Sequence, residues 1–346
     1  MCTGSYCSYN IIYYNMSGLS LTNTRDIKCN TIYLNYDNDI KNGCYQFRKF
    51  HEKNYDPEWA KKKKDLDINQ YFAQKKKDNI CRVISWNVKG FNGNQATSTL
   101  KLRTQDIAYS IQKWNPDIIC MQEYNTNDRP NDIANHATYF NKNYPYNYFS
   151  KDIQIAEKSY FLGCIIFSKY PIINAQRIAY TNQESLIYVD LLRGDDTIRI
   201  FTTHLASYRF KQNDFIALEA TAQANSIDIN GKKGVLRKMR TAFVERAVQA
   251  QIVKKYLDES PYPSIITGDF NDVPSSYTYK TIRGDWSDSF LEKGFGIGAS
   301  YLGISPTLRI DYILSNASWK TKGWESLDEN LSDHHMIMAD LQLIKN

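Results

Sequence analysis

From Ile80 onward the chain is a succession of short apolar runs, each closed by polar residues. Cys81 to Val88 has the β-branched and aromatic content of a strand, and Asp117 to Glu123 forms a second, apolar until its last two residues. The same pattern predicts strands over Gly163 to Ser168, Leu186 to Leu192, Thr197 to His204, Leu308 to Leu314 and Met336 to Leu343. Arg193-Gly194-Asp195-Asp196 reads as a hairpin turn between two of them. Ile265-Ile266-Thr267 reads as a buried strand that Gly268 closes with a bend. Helical spacing predicts a helix over Leu100 to Trp114, stopped by Asn115-Pro116, and a long one over Val235 to Leu257. The long helix would present Met239, Phe243, Ala247, Ala250, Val253 and Leu257 on one face, with Pro261 and Pro263 beyond its end. A short helix follows near Tyr277 to Ile282, then a loop carrying Gly294, Gly296, Gly298 and Gly303. Residues 208 to 234 show no period. Strands in runs, with helices grouped between them, predict packed sheets flanked by helices.

Residues 1 to 78 differ in character. They lack a sustained period, are rich in Tyr, Asn, Asp and Lys, and carry basic clusters at Lys61 to Lys64 and Lys75 to Lys77. A weak helix is predicted from Pro57 to Lys77. The expected organisation is a polar, partly disordered appendage over 1–78 and one catalytic domain over 79–346.

Composition adjusts this only modestly. The 346 residues are 42% hydrophobic and 23% charged, as in an ordinary soluble globular chain. Of the net charge of +6, residues 1 to 79 supply 13 Lys/Arg against 9 Asp/Glu, leaving 30 against 28 in the main body. A broad basic face for nucleic acid is therefore not expected, although Lys232, Lys233, Arg237, Lys238 and Arg240 cluster at the start of the long helix. Seven cysteines, with no CxxC pair and no Cys/His metal spacing, exclude a zinc knuckle. No signal peptide and no long apolar run are present, so a cytoplasmic monomer without a transmembrane segment is expected.

Six places put charged or amide groups beside strand-like runs: Asn87, Glu123, His204, Asp269 with Asn271, Asp311, and Asp333 with His334. Each alone has an ordinary explanation. Gly268-Asp269-Phe270-Asn271 suits a turn, a lone histidine suits a satisfied half-buried position, and an acid inside a strand is usually paired. If extended geometry continues past Asp269, it and Asn271 project to one side and Phe270 to the other. Together the six suit a Mg²⁺-dependent phosphate hydrolase. Hard Mg²⁺ prefers carboxylate oxygen and water, and a phosphate ester needs cationic and hydrogen-bonding groups around its transition state.

From about residue 80 to 345 the sequence also resembles the endonuclease/exonuclease/phosphatase superfamily, with its deoxyribonuclease-I-like fold. The motifs stand in order as Ser85-Trp86-Asn87-Val88, Met121-Gln122-Glu123, Gly163 to Pro171, Thr203-His204-Leu205, Gly268-Asp269-Phe270-Asn271, Arg309-Ile310-Asp311-Tyr312 and Ser332-Asp333-His334. The stretch from Arg246 through the Asp269 and Asp311 motifs is similar to uncharacterised Bacteroidetes-type members. The resemblance implies a four-layered α/β/β/α sandwich and in-line hydrolysis of a phosphodiester without a covalent intermediate. It implies Glu123 as principal ligand of Mg²⁺ or Mn²⁺, Asn87 beside it and Asp333 completing the shell. Asp269 would activate water and Asn271 would hold a phosphate oxygen. His334 would stabilise the phosphoryl charge with Asp311 behind it, and His204 would bind phosphate or assist the leaving oxygen.

Two positions depart from the pattern. Lys89 stands where repair endonucleases of the family carry an acid, which points away from abasic-site repair. Met336 stands where many members have proline, and His335 is read as a bystander beside His334. A nuclease is the first reading of substrate, a lipid or small-molecule phosphohydrolase the second, and an inactive binding module a third of another class.

Overall fold

The computed structural model describes residues 76, 79–92, 97–129, 131–132, 134–155, 160–181, 184–208, 229–303 and 307–344. By proximity of its Cα atoms the chain divides between Lys75 and Lys76, and all described residues belong to the second unit. The helix expected over 57–77 lies outside the described residues, Lys76 excepted. That lysine pairs with the buried Asp117.

Seven strands form one sheet in the order β12 (Trp319–Leu327), β13 (Met336–Leu343), β1 (Ile80–Asn87), β2 (Ile118–Asn127), β5 (Tyr160–Ser168) and β3 (Tyr146–Phe149), with β4 (Ile153–Ile155) also on β5. Six form the other: β10 (Ser287–Asp288), β11 (Asp311–Ser315), β9 (Ser264–Asp269), β8 (Asp196–His204), β7 (Ser185–Arg193) and β6 (Ile172–Ala179). Every pairing is antiparallel except one central parallel pair in each sheet, β1 with β2 and β8 with β9.

The sheets pack face to face because their alternating residues share one apolar layer. Cys81, Val83, Cys120 and Ile166 of the first sheet are clustered with Val189, Ile200, Ile265 and Ile313 of the second. Helix α2 (Ile229–Asp258) and helix α3 (Tyr277–Arg283) cover the second sheet, burying Ala250, Val253, Leu257 and Ile282 against Phe201, Ile266 and Leu314. Helix α1 (Thr97–Gln112) buries Ile107 and Ile111, and just beyond its end the Trp114 carbonyl accepts from Arg82. A short helix α4 (Ser289–Lys293) precedes the glycine-rich loop. The molecule is a sandwich of two mixed sheets with helices outside, as the sequence predicts. Among the described residues no helix is long and apolar enough to cross a membrane.

Several expectations change in detail. β6 and β12 were not predicted, because as outer strands neither forms an apolar run: β6 mixes exposed with half-buried residues, and β12 buries only Trp319 and Thr321. β2 does not stop at Glu123 but continues past a bulge to Asn127. Gly268 lies inside β9, at φ +151, where a Cβ would come within 2.1 Å of the Thr203 carbonyl oxygen, so it permits close approach of β8 rather than ending the strand. β11 begins at Asp311, while Leu308 forms only a bridge with Tyr301. The buried face of α2 runs through Ala242, Arg246, Gln249, Val253 and Leu257, with Phe243 exposed. Arg246 and Gln249 take places expected for apolar residues because buried backbone groups need their hydrogen bonds.

Candidate active site

Two parallel pairs bring the carboxyl-terminal ends of β1, β8 and β9 and the bulge of β2 to one end of the sandwich. Asn87 ends β1, Glu123 follows on β2, and His204 and Asp269, which are register partners, end β8 and β9. β11 runs antiparallel to β9, so Asp311 enters at the same end opposite Asp269. β13 is antiparallel to β1, and His334 lies two residues before its start. Topology thus gathers residues spread over nearly 250 positions, and Asn87, Asp269, Asp311 and His334 are all buried.

Their hydrogen bonds define orientation. The Lys89 amide donates to Asn87 Oδ1 at 3.0 Å, which turns the Asn87 NH2 toward Glu123 Oε1 (3.0 Å) and Asp269 Oδ2 (3.1 Å). Asn87 therefore cross-links one carboxylate from each sheet. Glu123 reaches this position through the bulge between Met121 and Tyr124, with φ +49. Asn271 is also left-handed, at φ +52, so extended geometry does not continue beyond Asp269. Instead its amide N–H donates to Asp269 Oδ1 at 2.8 Å, and its side-chain NH2 meets Leu205 O (2.9 Å) and His204 Nε2 (3.0 Å). Phe270 points away, fully buried, with its ring 4.9 Å from that of Tyr312.

Both histidines face the same carboxylate oxygen. His334 Nε2 lies 3.7 Å and His204 Nε2 3.6 Å from Asp269 Oδ2. Behind His334, Nδ1 meets Asp311 Oδ2 at 3.0 Å. Burial opposes a charged ring there, but Asp311 and Asp269 outweigh it and raise His334 to about 10. Burial pushes Asp311 up to about 6, the His334 charge pulling it down and Asp269 adding to the rise. His204 is likewise raised: burial works against its charge, and Glu184, Asp269 and Glu123 together prevail. Glu184 Oε1 lies 3.8 Å from His204 Nδ1.

Asp333 turns outward to Lys89, whose Nζ is 2.7 Å from Oδ2 and half exposed, so the lysine cation is held at the rim. His335 is buried elsewhere, with Nδ1 2.8 Å from Ser326 Oγ. The carboxylate oxygens of Asp269 and Asp311 and a ring nitrogen of His334 lie within 4.8 Å of one another, close enough to hold a metal ion. Asp311 Oδ1 is buried there without a hydrogen-bond partner. A donor set of carboxylates, with Glu123 adjacent and its side chain 36% exposed, fits a hard divalent cation.

Sequence reasoning missed several residues. Glu184 precedes β7 at the same end of the sheet, and only the pairing of β7 with β8 brings it to His204. Ser300 Oγ accepts from the amides of Ile310 and Asp311, both at 3.0 Å, and fixes the start of β11. The Tyr301 ring lies 4.7 Å from that of His334. Arg246 Nη1 donates to Ala206 O (2.7 Å) and Nε to Asp272 Oδ2 (3.1 Å), while Gln249 Oε1 accepts from Ala206 N (2.9 Å). Helix α2 thereby grips the loops just beyond His204 and Asn271. Arg246 and Gln249 carry no signal in a strand-by-strand reading, since the Ala206 backbone they bond lies 40 and 43 residues away in sequence.

This is the deoxyribonuclease-I-like architecture, with the clustered polar groups where the central strands of two sheets meet. The chain belongs to the Endonuclease/Exonuclease/phosphatase family, whose model matches residues 84–334. Enzymes of the family are metal-dependent phosphoesterases. Among solved structures, truncated TDP2 from Caenorhabditis elegans is 18% identical with TM-score 0.55, covering 76% of this chain and 98% of its own. An endonuclease/exonuclease/phosphatase from Bacteroides vulgatus is 15% identical with TM-score 0.55, covering 77% and 99%. The catalytic domain of human Nocturnin is 17% identical with TM-score 0.54, covering 77% and 95%. At such identities the likeness is one of fold. No curated protein sequence matches the chain significantly.

Proposed function

We propose that the protein is a Mg²⁺-dependent phosphodiesterase, in the first instance a nuclease, that cuts by in-line attack of water. The observation that carries this reading is the convergence of two carboxylate-backed histidines on Asp269 Oδ2, at 3.6 and 3.7 Å. Glu123 would hold the divalent ion, and Asp333, which pairs with Lys89, would have to release that lysine to join it; the ion would polarise the phosphate and offset its charge. Asp269 takes a proton from the attacking water as its oxygen bonds to phosphorus. His334, kept cationic by Asp311 and Asp269, stabilises the charge that develops on the phosphoryl oxygens. His204, whose pKa burial lowers but Glu184, Asp269 and Glu123 raise on balance, would pass a proton to the leaving oxygen as the second P–O bond breaks. Asn271 and Asn87 donate hydrogen bonds that fix these groups and the phosphate oxygens.

Nucleic acid as substrate is supported by a fold relative, TDP2 of D. rerio, which has been solved with a single-strand DNA product. A lipid phosphodiester is the second reading, favoured by an apolar rim. Leu302 is exposed and its amide donates to Asp333 O at 2.9 Å, next to Tyr301 over His334.

The test offers plasmid DNA, RNA, sphingomyelin and phosphoinositides to the purified protein with Mg²⁺, each against a chelator control. Turnover that needs the metal is expected. Asp269→Asn and His334→Gln should each reduce it by about 10²–10⁴-fold with the fold intact. Absence of turnover on every substrate would leave the binding-module reading in its place.

A further inference from the structure

Helix α2 is thirty residues long, but only its second half packs on the sheet. Arg246 and Gln249 are level with the loops of the active site, since they bond Ala206 and Asp272 there. Beyond Arg246, toward its amino terminus, the helix continues for 17 residues to Ile229, or about 25 Å at 1.5 Å per residue. Because α2 joins the parallel strands β8 and β9 it runs back along them, which puts its amino-terminal half at the end of the sandwich where the site opens.

The extension has an unusual outer surface. Leu236, Phe243, Val244 and Val248 are between 43% and 63% exposed, and Arg237 and Arg240 are exposed among them. No exposed residue from Leu236 to Gln251 is acidic. A solvated face would interleave acids with bases, and a phosphate backbone gains nothing from aliphatic side chains. Apolar residues that can sink between headgroups, with arginines on the same face for anionic charge, suit a lipid surface.

We infer that the outer face of residues 236–248 of α2 docks the protein, site end first, on an anionic bilayer. This goes beyond the hydrolase reading and does not rest on it. The docked helix sets the site at the membrane surface, whatever phosphodiester is presented there.

The full chain is sedimented with phosphatidylcholine vesicles, with and without phosphatidylglycerol. Binding is expected only to the anionic vesicles, weakening as salt rises. Leu236→Glu with Val244→Glu, both at exposed positions, should weaken it by about tenfold or more. Hydrolysis of a small soluble phosphodiester such as bis(p-nitrophenyl) phosphate, and the far-UV circular dichroism, should be unchanged by the same substitutions. Arg237→Glu with Arg240→Glu should remove the preference for anionic lipid. Failure of any hydrolysis alongside intact vesicle binding would strike only the catalytic reading. No vesicle binding, equal binding to both compositions, or binding untouched by either double substitution would overturn the docking site. Capture of duplex DNA in place of vesicles, or a dimer in solution that Leu236→Glu with Val244→Glu dissolves, would overturn it as well.

Discussion

His136 and His334 show what surroundings do to one side chain. Both are buried, yet His334 faces carboxylates and is raised to about 10, whereas His136 is lowered to about 4 by desolvation. His136 packs 4.2 Å from the Phe91 ring, its Nδ1 donates to Asn125 O at 2.7 Å, and Nε2 has no partner. An unfolded histidine takes up a proton near pH 6.5, before the folded one does at about 4. Stability from this group is therefore full above about pH 6.5 and drains away as pH falls toward 4. The total is of the order of 3 kcal/mol, at 1.36 kcal/mol per pKa unit. Urea unfolding from pH 7.5 to 4 should show this acid limb, and His136→Gln should flatten it. An equally steep limb in the variant would place the sensitivity elsewhere. The residues gathered at this end of the sheets were legible because each stands as a polar group beside an apolar run. Glu184 was not, since its relation to His204 exists only once β7 and β8 are paired.

At the scale of elements, closeness of β8 and β9 is the condition that brings His204 to Asp269. Gly268 sets that closeness, and Gly268→Ala would force a Cβ to 2.1 Å from the Thr203 carbonyl at a left-handed φ. The expected cost is at least about 3 kcal/mol. Urea unfolding measures it, and a stable variant would mean that the strands can part there without penalty. The central strands were readable from sequence because burial on both faces makes them continuously apolar. β6 and β12 were not, because an outer strand with one wet face looks like loop. The α2 periodicity was found but rotated: Arg246 is fully buried and Phe243 is not. Composition cannot anticipate that a guanidinium will be buried to satisfy the Ala206 carbonyl and Asp272.

For the whole molecule, the proposed division into an appendage and a catalytic domain has a sharp consequence at its boundary. Lys76 pairs with Asp117, which also accepts from the Arg82 amide at 2.8 Å. A fragment spanning 76–346 should melt cooperatively at the midpoint of the full chain. One spanning 79–346 should lose about 1–3 kcal/mol, because the buried Asp117 is left short of a partner. Failure of the longer fragment to fold would show that residues 1–75 belong to the folding unit.

The groups proposed for catalysis are divided between two sheets, Glu123 on one with His334 just before its strand β13, and His204, Asp269 and Asp311 on the other. Beneath them Gln122 Nε2 donates to Ser85 Oγ (3.2 Å) and across the seam to Thr202 Oγ1 (2.9 Å), which Thr267 Oγ1 also reaches at 3.1 Å. Apolar layers slide easily; this row of hydrogen bonds acts as a dowel between two plates. Turnover is then a gauge of their alignment, more sensitive than the ladders within each plate. On slow heating, activity should fade while far-UV circular dichroism is still native, and Gln122→Leu should widen the gap between the two transitions. Coincident loss of both signals in that variant would show that the plates are aligned by packing alone.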